Sequence, residues 1–302
     1  MTTVAYLGPE HTNTHLAALR AFGPRARYRH EPTVDDVFTA VECGGADYGV
    51  VPVENSLEGA VTHTLDRFID APASSARIVG EVEVPIRHCL ITQPGMPLRR
   101  TQAVYSHPQA LAQCRRWLRS RLARGVALIE TASTADAVDA VVNYPRLHPA
   151  SPVQHVAAIG REEAARTYRL RAVPIPDDRD NKTRFLILSR RRPFDSAQGG
   201  VLSQAEGRRL PRRQRTKTSL LLAVKDRPGA LYDVLMPFKR EAINLTKIES
   251  RPSKQKAWEY AFFIDLAADA EEPRVRRALR ALRATTVGLR ILGCYPAAGT
   301  RR

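Results

Sequence analysis

Short apolar runs alternate with longer amphipathic segments through residues 1–189 of this 302-residue chain. The runs have the length of buried strands, and in the segments after them apolar residues recur at the spacing of one helix face. Strands that are joined by helices in this way are typical of open α/β sheets. The pattern predicts strands at residues 4–8, 48–54, 103–106, 126–131, 156–160 and 184–189, and helices at residues 11–22, 34–42, 60–70, 109–122, 134–143 and 161–168.

Proline interrupts this pattern at two places, at Pro85 and within residues 173–176. Because proline ends helices and cannot donate a hydrogen bond to a sheet, such points commonly mark connections. We interpret both as crossings between two lobes of one α/β domain, residues 1–189. A ligand cleft between the lobes is the expectation for this arrangement.

Residues 190–217 break the alternation and carry nine basic and two acidic side chains. A segment with few apolar residues cannot offset the entropy of ordering by burial, so we interpret it as a flexible basic linker. It contributes much of the net charge of +16. An RNA-associated role through counterion release is the alternative. A solvated linker, without a specific nucleic-acid partner, is the preferred interpretation.

Residues 218–297 return to a compact pattern of about 80 residues in the order βαββαβ. A Pro228-Gly229 turn opens the first helix of this unit. The order is that of a ferredoxin-like fold. The predicted strands are residues 218–225, 244–251, 257–265 and 287–295, and the predicted helices are residues 230–240 and 271–283.

The composition of the chain limits where the protein is expected to be located and which cofactors it is expected to bind. No apolar run approaches the roughly 18 residues of a membrane helix, and no signal peptide is visible. The four cysteines, Cys43, Cys89, Cys114 and Cys294, are far apart and form no C-x-x-C pair. Free thiols in a reducing compartment are therefore favoured over disulfides or a zinc site. We expect a cytoplasmic protein without a metal and without a membrane partner.

Four short motifs occur in a fixed order along the chain. They are V-P-V-E-N-S-L-E-G at 51–59, S-H-P-Q-A-L-A-Q-C at 106–114, N-K-T-R-F at 181–185 and N-L-T-K-I-E-S-R-P at 244–252. Together they resemble prephenate dehydratase, and the last motif with Pro228-Gly229 resembles an ACT domain. The resemblance implies a two-lobe, periplasmic-binding-protein-like catalytic domain followed by a regulatory ACT domain.

The resemblance also implies the reaction. Prephenate, a dianion, would lose its ring carboxylate as carbon dioxide and its hydroxyl group as water to give phenylpyruvate, with no cofactor. L-Phenylalanine would bind the ACT domain as an allosteric effector, in a homodimer or homotetramer. Arogenate dehydratase and a non-catalytic phenylalanine sensor are the alternatives.

Residue roles follow from the same motifs. Thr183 is expected to assist the departing hydroxyl group, with Glu54, Asn55 and Gln113 as further catalytic candidates. Arg184 could equally be a structural ion-pair partner, Phe185 a core residue, and the polar residues at helix starts simple caps. The predicted substrate-binding residues are Thr12, Ser56, Ser106, Arg184 and Phe185, and the predicted phenylalanine-binding residues are Gly229, Ala230, Leu231, Asn244, Glu249, Ser250, Arg251 and Pro252.

The chain departs from the family pattern G-P-E-G-T-F-T at residues 8–14. His11 replaces a glycine, which permits unusual backbone torsions, and Asn13 replaces a phenylalanine. Both replacements are polar, and they are the basis of the sensor alternative. An intact Thr183 argues against that alternative.

Overall fold

The computed structural model describes residues 1–147, 155–175, 180–190, 216–225, 227–252 and 260–298. Most of the predicted linker, residues 191–215, lies outside them. Two compact units account for the contacts within the chain. The first unit is Met1–Leu7, Ala17–Val84 and Thr183–Arg302, and the second unit is Gly8–Leu16 and Pro85–Lys182. The predicted boundaries at 189 and 217 stay predictions.

The first unit contains a mixed sheet. We call this sheet and its helices α2 and α3 the first lobe. Its sheet order is β2-β1-β3-β11-β5, with β4 paired to β3. Strand β3 is parallel to β1 and antiparallel to β11. The elements are β1 (Thr3–Leu7), α1 (Asn13–Phe22, which runs on from the second unit), β2 (Arg27–Glu31), α2 (Val34–Glu42), β3 (Tyr48–Asn55), β4 (Gly59–Ala60), α3 (Thr62–Asp70), β5 (Arg77–Pro85) and β11 (Lys182–Ser189).

The second unit contains a five-stranded sheet in the order β10-β6-β9-β7-β8. Strand β7 is parallel to β8 and β9, and β6 is antiparallel to β9. One end of the sheet therefore carries the carboxyl ends of β7, β8 and β9 together with the first residue of β6. Ligands of open α/β sheets commonly bind at the carboxyl ends of the strands. The elements are β6 (His88–Thr92), β7 (Ala103–Ser106), α4 (Pro108–Gln113), α5 (Arg115–Arg121), β8 (Ala127–Glu130), α6 (Thr134–Leu147), β9 (Val156–Gly160), α7 (Glu162–Thr167) and β10 (Arg171–Ile175).

The C-terminal part of the first unit confirms the ferredoxin-like βαββαβ prediction. Its antiparallel sheet has the order β13-β14-β12-β15. Helices α8 and α9 cover one face, while the opposite face packs on the first lobe, where Phe263 lies against Phe68. The elements are β12 (Thr216–Val224), α8 (Ala230–Arg240), β13 (Leu245–Pro252), β14 (Tyr260–Leu266), α9 (Pro273–Thr285) and β15 (Gly288–Pro296).

The pattern of apolar residues misses five strands, β2, β4, β5, β6 and β10, and merges α4 with α5 into one helix. Strand β2 is a charged edge strand, R-Y-R-H-E, without a buried run. Strand β10 contains Pro174, which an edge strand tolerates because its outer N–H groups need no partner. The region around Pro85 is the end of β5, and the chain passes there from the first unit to the second, so the predicted crossing at Pro85 is confirmed.

Candidate active site

Thr183 and Asn55 lie side by side on neighbouring strands of the first unit. They are partners in the pairing of β11 with β3, and Asn55 Nδ2 donates a hydrogen bond of 2.9 Å to Thr183 Oγ1. The Asn55 side-chain oxygen accepts from the N–H groups of Leu57 and Glu58, at 3.0 and 3.3 Å. These contacts fix the carboxamide with an N–H group towards the Thr183 oxygen. The Thr183 hydroxyl group therefore keeps its own proton for donation.

Arg184, which we expected to bind a substrate carboxylate, makes internal contacts instead. Its guanidinium is buried and pairs with Glu54 at 3.0 Å, Glu81 at 3.0 Å and Asp265 at 2.7 Å. Burial disfavours its charge, but Asp265 and Glu81 together raise the pKa of Arg184 above the ordinary value. Because the protein uses these donors itself, the substrate-binding prediction for Arg184 is not supported, and the structural alternative fits.

Glu54 lacks the surroundings of a general acid. Its carboxylate contacts two cations, Arg184 Nη2 at 3.0 Å and Lys247 Nζ at 3.1 Å. Both carboxylate oxygens are therefore engaged in ion pairs within the protein, whereas a general acid needs a carboxyl oxygen that can reach the substrate. The contacts therefore favour a structural role for Glu54 beside Asn55.

Phe185 and Ser56 differ in exposure. Phe185 follows a β-bulge in β11, lies opposite Pro52 and is 1% exposed, so it fills the core and cannot contact a ligand from there. The substrate-binding prediction for Phe185 is therefore not supported. Ser56 is exposed in the turn after β3, so its substrate-binding role stays a prediction.

A polar cluster in the second unit surrounds Gln113. Its side-chain oxygen is 2.7 Å from His88 Nε2 and accepts a hydrogen bond of 3.1 Å from Asn181 Nδ2. Asn181 is buried, and its backbone oxygen accepts from the N–H group of Ile86 at 2.8 Å. An oxygen with two such partners fixes the orientation of its carboxamide. The cluster thus holds Gln113 in one orientation.

His88 and Asn181 are absent from the sequence predictions. Asn181 opens the N-K-T-R-F motif, and that position could have revealed it. His88 belongs to no motif, and it reaches Gln113 only because β6 runs antiparallel to β9 in the sheet. Strand pairing of this kind is not visible in a single sequence.

The hydroxyl groups of Ser106 and Thr12 make structural hydrogen bonds. Ser106 is 0% exposed and donates to the Ile159 backbone oxygen at 2.9 Å. Thr12 Oγ1 donates to the Pro9 backbone oxygen at 3.0 Å and accepts from the His15 N–H group at 3.2 Å, which caps the first turn of α1. Both hydroxyl groups are thus used by the protein, which favours a structural role over direct substrate binding.

The two departures from the family pattern fit their surroundings. His11 has a φ of 64°, so it adopts the left-handed backbone that a glycine would adopt there. The Asn13 side-chain oxygen accepts from the guanidinium of Arg161, which also pairs with Glu163 at 3.2 Å. A phenylalanine could not accept that hydrogen bond. Each replacement is therefore accommodated within the second unit.

We expect His15 to make the protein less stable in mild acid. Its Nδ1 accepts a hydrogen bond of 3.1 Å from the His11 N–H group, which requires an unprotonated Nδ1. Burial lowers the pKa of His15 below its ordinary 6.5, against the raising effect of Glu10. The unfolded state therefore takes up the proton first, and the stabilisation present above pH 6.5 is lost as the pH falls through the folded-state pKa.

Thermal unfolding between about pH 7 and about pH 5 measures this effect. His15→Gln removes the titration, so its unfolding temperature should fall less over that range than that of the natural chain. The matched control is His30→Gln on the exposed side of β2, which should keep the natural slope. Equal slopes in all three proteins would contradict the assignment.

Comparison with known families and relatives decides the identity. A model of the prephenate dehydratase family matches residues 4–193. A bifunctional chorismate mutase/prephenate dehydratase of Aquifex aeolicus is 44% identical, over 98% of this chain and 74% of that protein. The chain belongs to the prephenate dehydratase family. A model of the ACT domain matches residues 218–284.

Two solved structures resemble this chain along nearly its whole length. A prephenate dehydratase of Arthrobacter aurescens in complex with L-Phe has a TM-score of 0.80 and 31% identity, over 98% of this chain and 90% of that chain. GqqA, described as a novel type of quorum quenching acylase, has a TM-score of 0.76 and 28% identity, over 98% and 97%. The predicted fold class, a two-lobe α/β domain with an ACT domain, is confirmed.

The family assigns the chemistry of the chain. As a member of this family, the chain is an enzyme of L-phenylalanine biosynthesis that converts prephenate to phenylpyruvate, and its ACT domain is the regulatory part. Within the described ranges, no helix has both the length and the apolar character for a membrane crossing, and no group of three metal-ligating side chains occurs.

The predicted phenylalanine-binding residues lie on α8, on the turn before it and on β13, except Asn244, which immediately precedes β13. Gly229 has a φ of 80° at the start of α8, next to the exposed Leu231. Side chains alternate along the edge strand β13, so Ser250 is exposed while Arg251 faces the first lobe and pairs with Asp66 at 2.9 Å. Direct binding of phenylalanine by Arg251 is therefore not supported by its contacts.

Proposed function

We propose that Asn55 and Thr183 assist the departure of the ring hydroxyl group of prephenate. The observation that carries this proposal is the 2.9 Å hydrogen bond from Asn55 Nδ2 to Thr183 Oγ1. Since the Thr183 oxygen accepts from Asn55, its hydroxyl proton is available to the leaving oxygen. A fixed donor placed where negative charge develops stabilises the transition state more than the ground state.

The atoms and electrons balance without a redox partner. The bond from the ring to its carboxylate breaks, and the electron pair enters the ring while the carbon–oxygen bond to the hydroxyl group breaks. Carbon dioxide and, after uptake of one proton, water are released, and formation of the aromatic ring drives the reaction. The proton comes ultimately from solvent because a threonine hydroxyl group is a weak acid. Thr183 therefore acts as a hydrogen-bond donor to the leaving group.

The other predicted site residues have supporting roles in this proposal. Glu54 fixes the strand position next to Asn55 through its ion pair with Arg184. Gln113 is oriented by His88 and remains a candidate for contact with the substrate. Thr12 caps the first turn of α1, Ser106 joins the end of β7 to β9, and Ser56 remains a proposed substrate contact.

Phenylpyruvate formation from prephenate by the purified chain tests the proposal, with arogenate in a parallel reaction and with or without L-phenylalanine. Turnover of prephenate that L-phenylalanine lowers is the expected result. Preferential turnover of arogenate would identify an arogenate dehydratase. No turnover of either substrate, with L-phenylalanine still bound, would instead favour the non-catalytic sensor.

An acylase activity, which is what GqqA is named for, is not favoured by the geometry at Thr183. A hydroxyl nucleophile needs an adjacent base to take its proton. Within the described residues, the side-chain partner of Thr183 Oγ1 is the amide donor of Asn55, and no carboxylate or imidazole hydrogen-bonds to it. A donor on the oxygen makes the hydroxyl group a weaker nucleophile and a better hydrogen-bond donor.

We also propose that L-phenylalanine binds beside Gly229 and the exposed side of β13. The positive φ of Gly229 turns the chain sharply into α8, and the space where a side chain would stand is open to 4 Å. A ligand can approach the backbone there without a clash. Ala230, Leu231, Asn244, Ser250 and Pro252 are the other residues proposed to form this site, whereas Glu249 alternates onto the face of β13 that Arg251 shares and is left out of it.

Gly229→Val is expected to weaken inhibition by L-phenylalanine much more than catalysis. A β-branched residue is strained at a φ of 80° and would occupy the open space. A cost of about 1–2 kcal/mol raises the half-inhibitory concentration about tenfold. Initial rates measured over a range of L-phenylalanine concentrations check this. Gly229→Asn, which tolerates the left-handed backbone, separates strain from occupation of the space, and an equal loss of kcat would count against a separate regulatory site.

A homodimer or homotetramer is proposed from the surface of the ACT domain. Leu231, Tyr232 and Ile248 are 40%, 65% and 44% exposed, and β13 is an edge strand. Exposed apolar side chains beside an unpaired strand edge favour association with a second copy. Light scattering on the purified chain measures the mass, and a monomer at all concentrations would exclude this proposal.

A cytoplasmic location is likewise a proposal. It is supported by the cysteines of the described residues, which form no disulfide. Fractionation of cells that express the natural gene measures the location, and recovery outside the cytoplasmic fraction would exclude it.

A further inference from the structure

The ACT domain touches the first lobe through an entire sheet face. Ala261, Phe263 and Leu292 belong to the same apolar core as first-lobe residues, and the rings of Phe263 and Phe68 have centroids 6.1 Å apart. This contact lies within one compact unit. The sheet of the regulatory domain is thus packed against the sheet that carries Asn55 and Thr183.

Six ionised side chains form a connected network at this contact. Each sheet supplies three of them, with a net charge of −1 from the first lobe and +1 from the ACT domain, so the two faces attract each other. Glu81 and Lys247 are buried, at 1% and 7% exposed, whereas Glu54 lies at the rim of the network and is 36% exposed. The first lobe contributes Glu54, Glu81 and Arg184, and the ACT domain contributes Lys217, Lys247 and Asp265.

Two pairs of strand residues face each other in the centre of the network. Glu54 and Arg184 are paired across β3 and β11, and Lys247 and Asp265 are paired across β13 and β14. Lys247 Nζ is 3.1 Å from Glu54, and Arg184 Nη1 is 2.7 Å from Asp265. Every member of the first-lobe pair therefore has an ion-pair partner in the ACT domain.

The first-lobe pair lies directly beside the catalytic pair. Glu54 directly precedes Asn55 on β3, and Arg184 directly follows Thr183 on β11. The two pairs are therefore successive positions of the same strand pairing. A shift of Glu54 or Arg184 would therefore be transmitted through one peptide unit to the hydrogen bond between Asn55 and Thr183. Movement of about 1 Å at catalytic groups is enough to change rates strongly.

We propose that Lys247 and Asp265 of the ACT domain are positioning residues for the reaction, which hold Glu54 and Arg184 so that Asn55 and Thr183 keep their catalytic hydrogen bond. The proposal rests on the proposed role of Thr183. Lys247 lies on β13, the strand that also carries proposed phenylalanine-binding residues. Displacement of β13 by the effector reaches the catalytic pair through Lys247, without a contact between effector and substrate.

The network leaves room for such a displacement. A cavity of about 10 Å³ lies between the two sheets and is lined by Arg184, Lys247 and Asp265 among others. This is about the space of one water molecule. Arg184 Nε is buried there without a hydrogen-bond partner in the described part of the chain. The contact is therefore less tightly packed beside the ion pairs than in a close-packed core.

Lys247→Met tests the proposal because it removes the charge and keeps the length of the side chain. We expect kcat to fall about tenfold, equivalent to about 1.4 kcal/mol of transition-state stabilisation, with KM changed less than about twofold. Inhibition by L-phenylalanine should be lost in the same variant. Lys247→Arg keeps the charge and should restore kcat and inhibition together.

Asp66→Asn is the matched control, since it breaks the ion pair with Arg251 on the same face of the ACT sheet. Without L-phenylalanine it should leave kcat unchanged. Asp265→Asn, which is nearly isosteric, should repeat the loss of kcat and serves if Lys247→Met does not fold. Natural kcat in both Lys247→Met and Asp265→Asn, or an equal loss in Asp66→Asn, would overturn the proposal. If Thr183→Ala retains activity, the proposed function itself fails, and the two failures are thereby distinguished.

Discussion

Thr183→Ala is expected to lower kcat by about 10²–10³, the effect of removing one hydrogen-bond donor aimed at developing negative charge. The variant should leave KM nearly unchanged, because the donor acts on the leaving oxygen in the transition state rather than on the bound substrate. Thr183 is partly exposed at the end of β11, and the loss of a single methyl and hydroxyl group there leaves no large cavity. Phenylpyruvate formation under saturating prephenate measures the effect.

Two replacements at the same position separate the hydroxyl group from the shape of the side chain. Thr183→Ser keeps the oxygen that accepts from Asn55 and should retain most of the activity. Thr183→Val keeps the shape without the hydroxyl group and should resemble the alanine variant. Full activity in Thr183→Val would remove the leaving-group role from Thr183, whatever the fold of the variant.

The sheet order of this protein could not be read from its sequence, although most of its central elements could. The predicted ranges 34–42, 103–106 and 156–160 agree with α2, β7 and β9 at both ends, because buried strands and amphipathic helices carry clear periodic signals. Charged edge strands such as β2 carry no such signal. Pro85 marked a real passage between the two units, whereas Pro174 lies within the edge strand β10, and a sequence does not show whether a strand lies at a sheet edge.

The sequence likewise predicted some residues of the candidate site correctly but could not decide the role of others. The motifs led directly to Asn55 and Thr183, and the structure joins them by a hydrogen bond. Arg184 belongs to the same motif, yet its charge is used inside the protein by the carboxylates of Glu81 and Asp265. These residues are 103 and 81 positions away in the sequence. A guanidinium suits a substrate carboxylate and a buried ion pair equally well. Only the fold decides between these roles.

Gly293→Ala is expected to cause the largest loss of stability among single-methyl changes in the ACT domain. A Cβ atom at this position of β15 would lie 2.0 Å from the backbone oxygen of Ile78 and 2.8 Å from its Cβ atom. Both neighbours belong to β5 of the first lobe, and a backbone oxygen cannot move aside as the end of a flexible side chain can. The strands must separate, which costs about 1–3 kcal/mol or more.

Thermal unfolding measures this cost, and a loss of about 2–4 °C per kcal/mol is expected for a unit of this size. Gly288→Ala on the same strand is the matched control, because its Cβ atom would meet Ala223 at 3.7 Å, an ordinary contact. It should stay within about 0.5 kcal/mol of the natural chain. Equal unfolding temperatures for the two variants would contradict the close approach of β15 to β5. That approach brings the backbone of the regulatory sheet against the catalytic lobe, so Gly293→Ala should also weaken inhibition by L-phenylalanine, whereas Gly288→Ala should not.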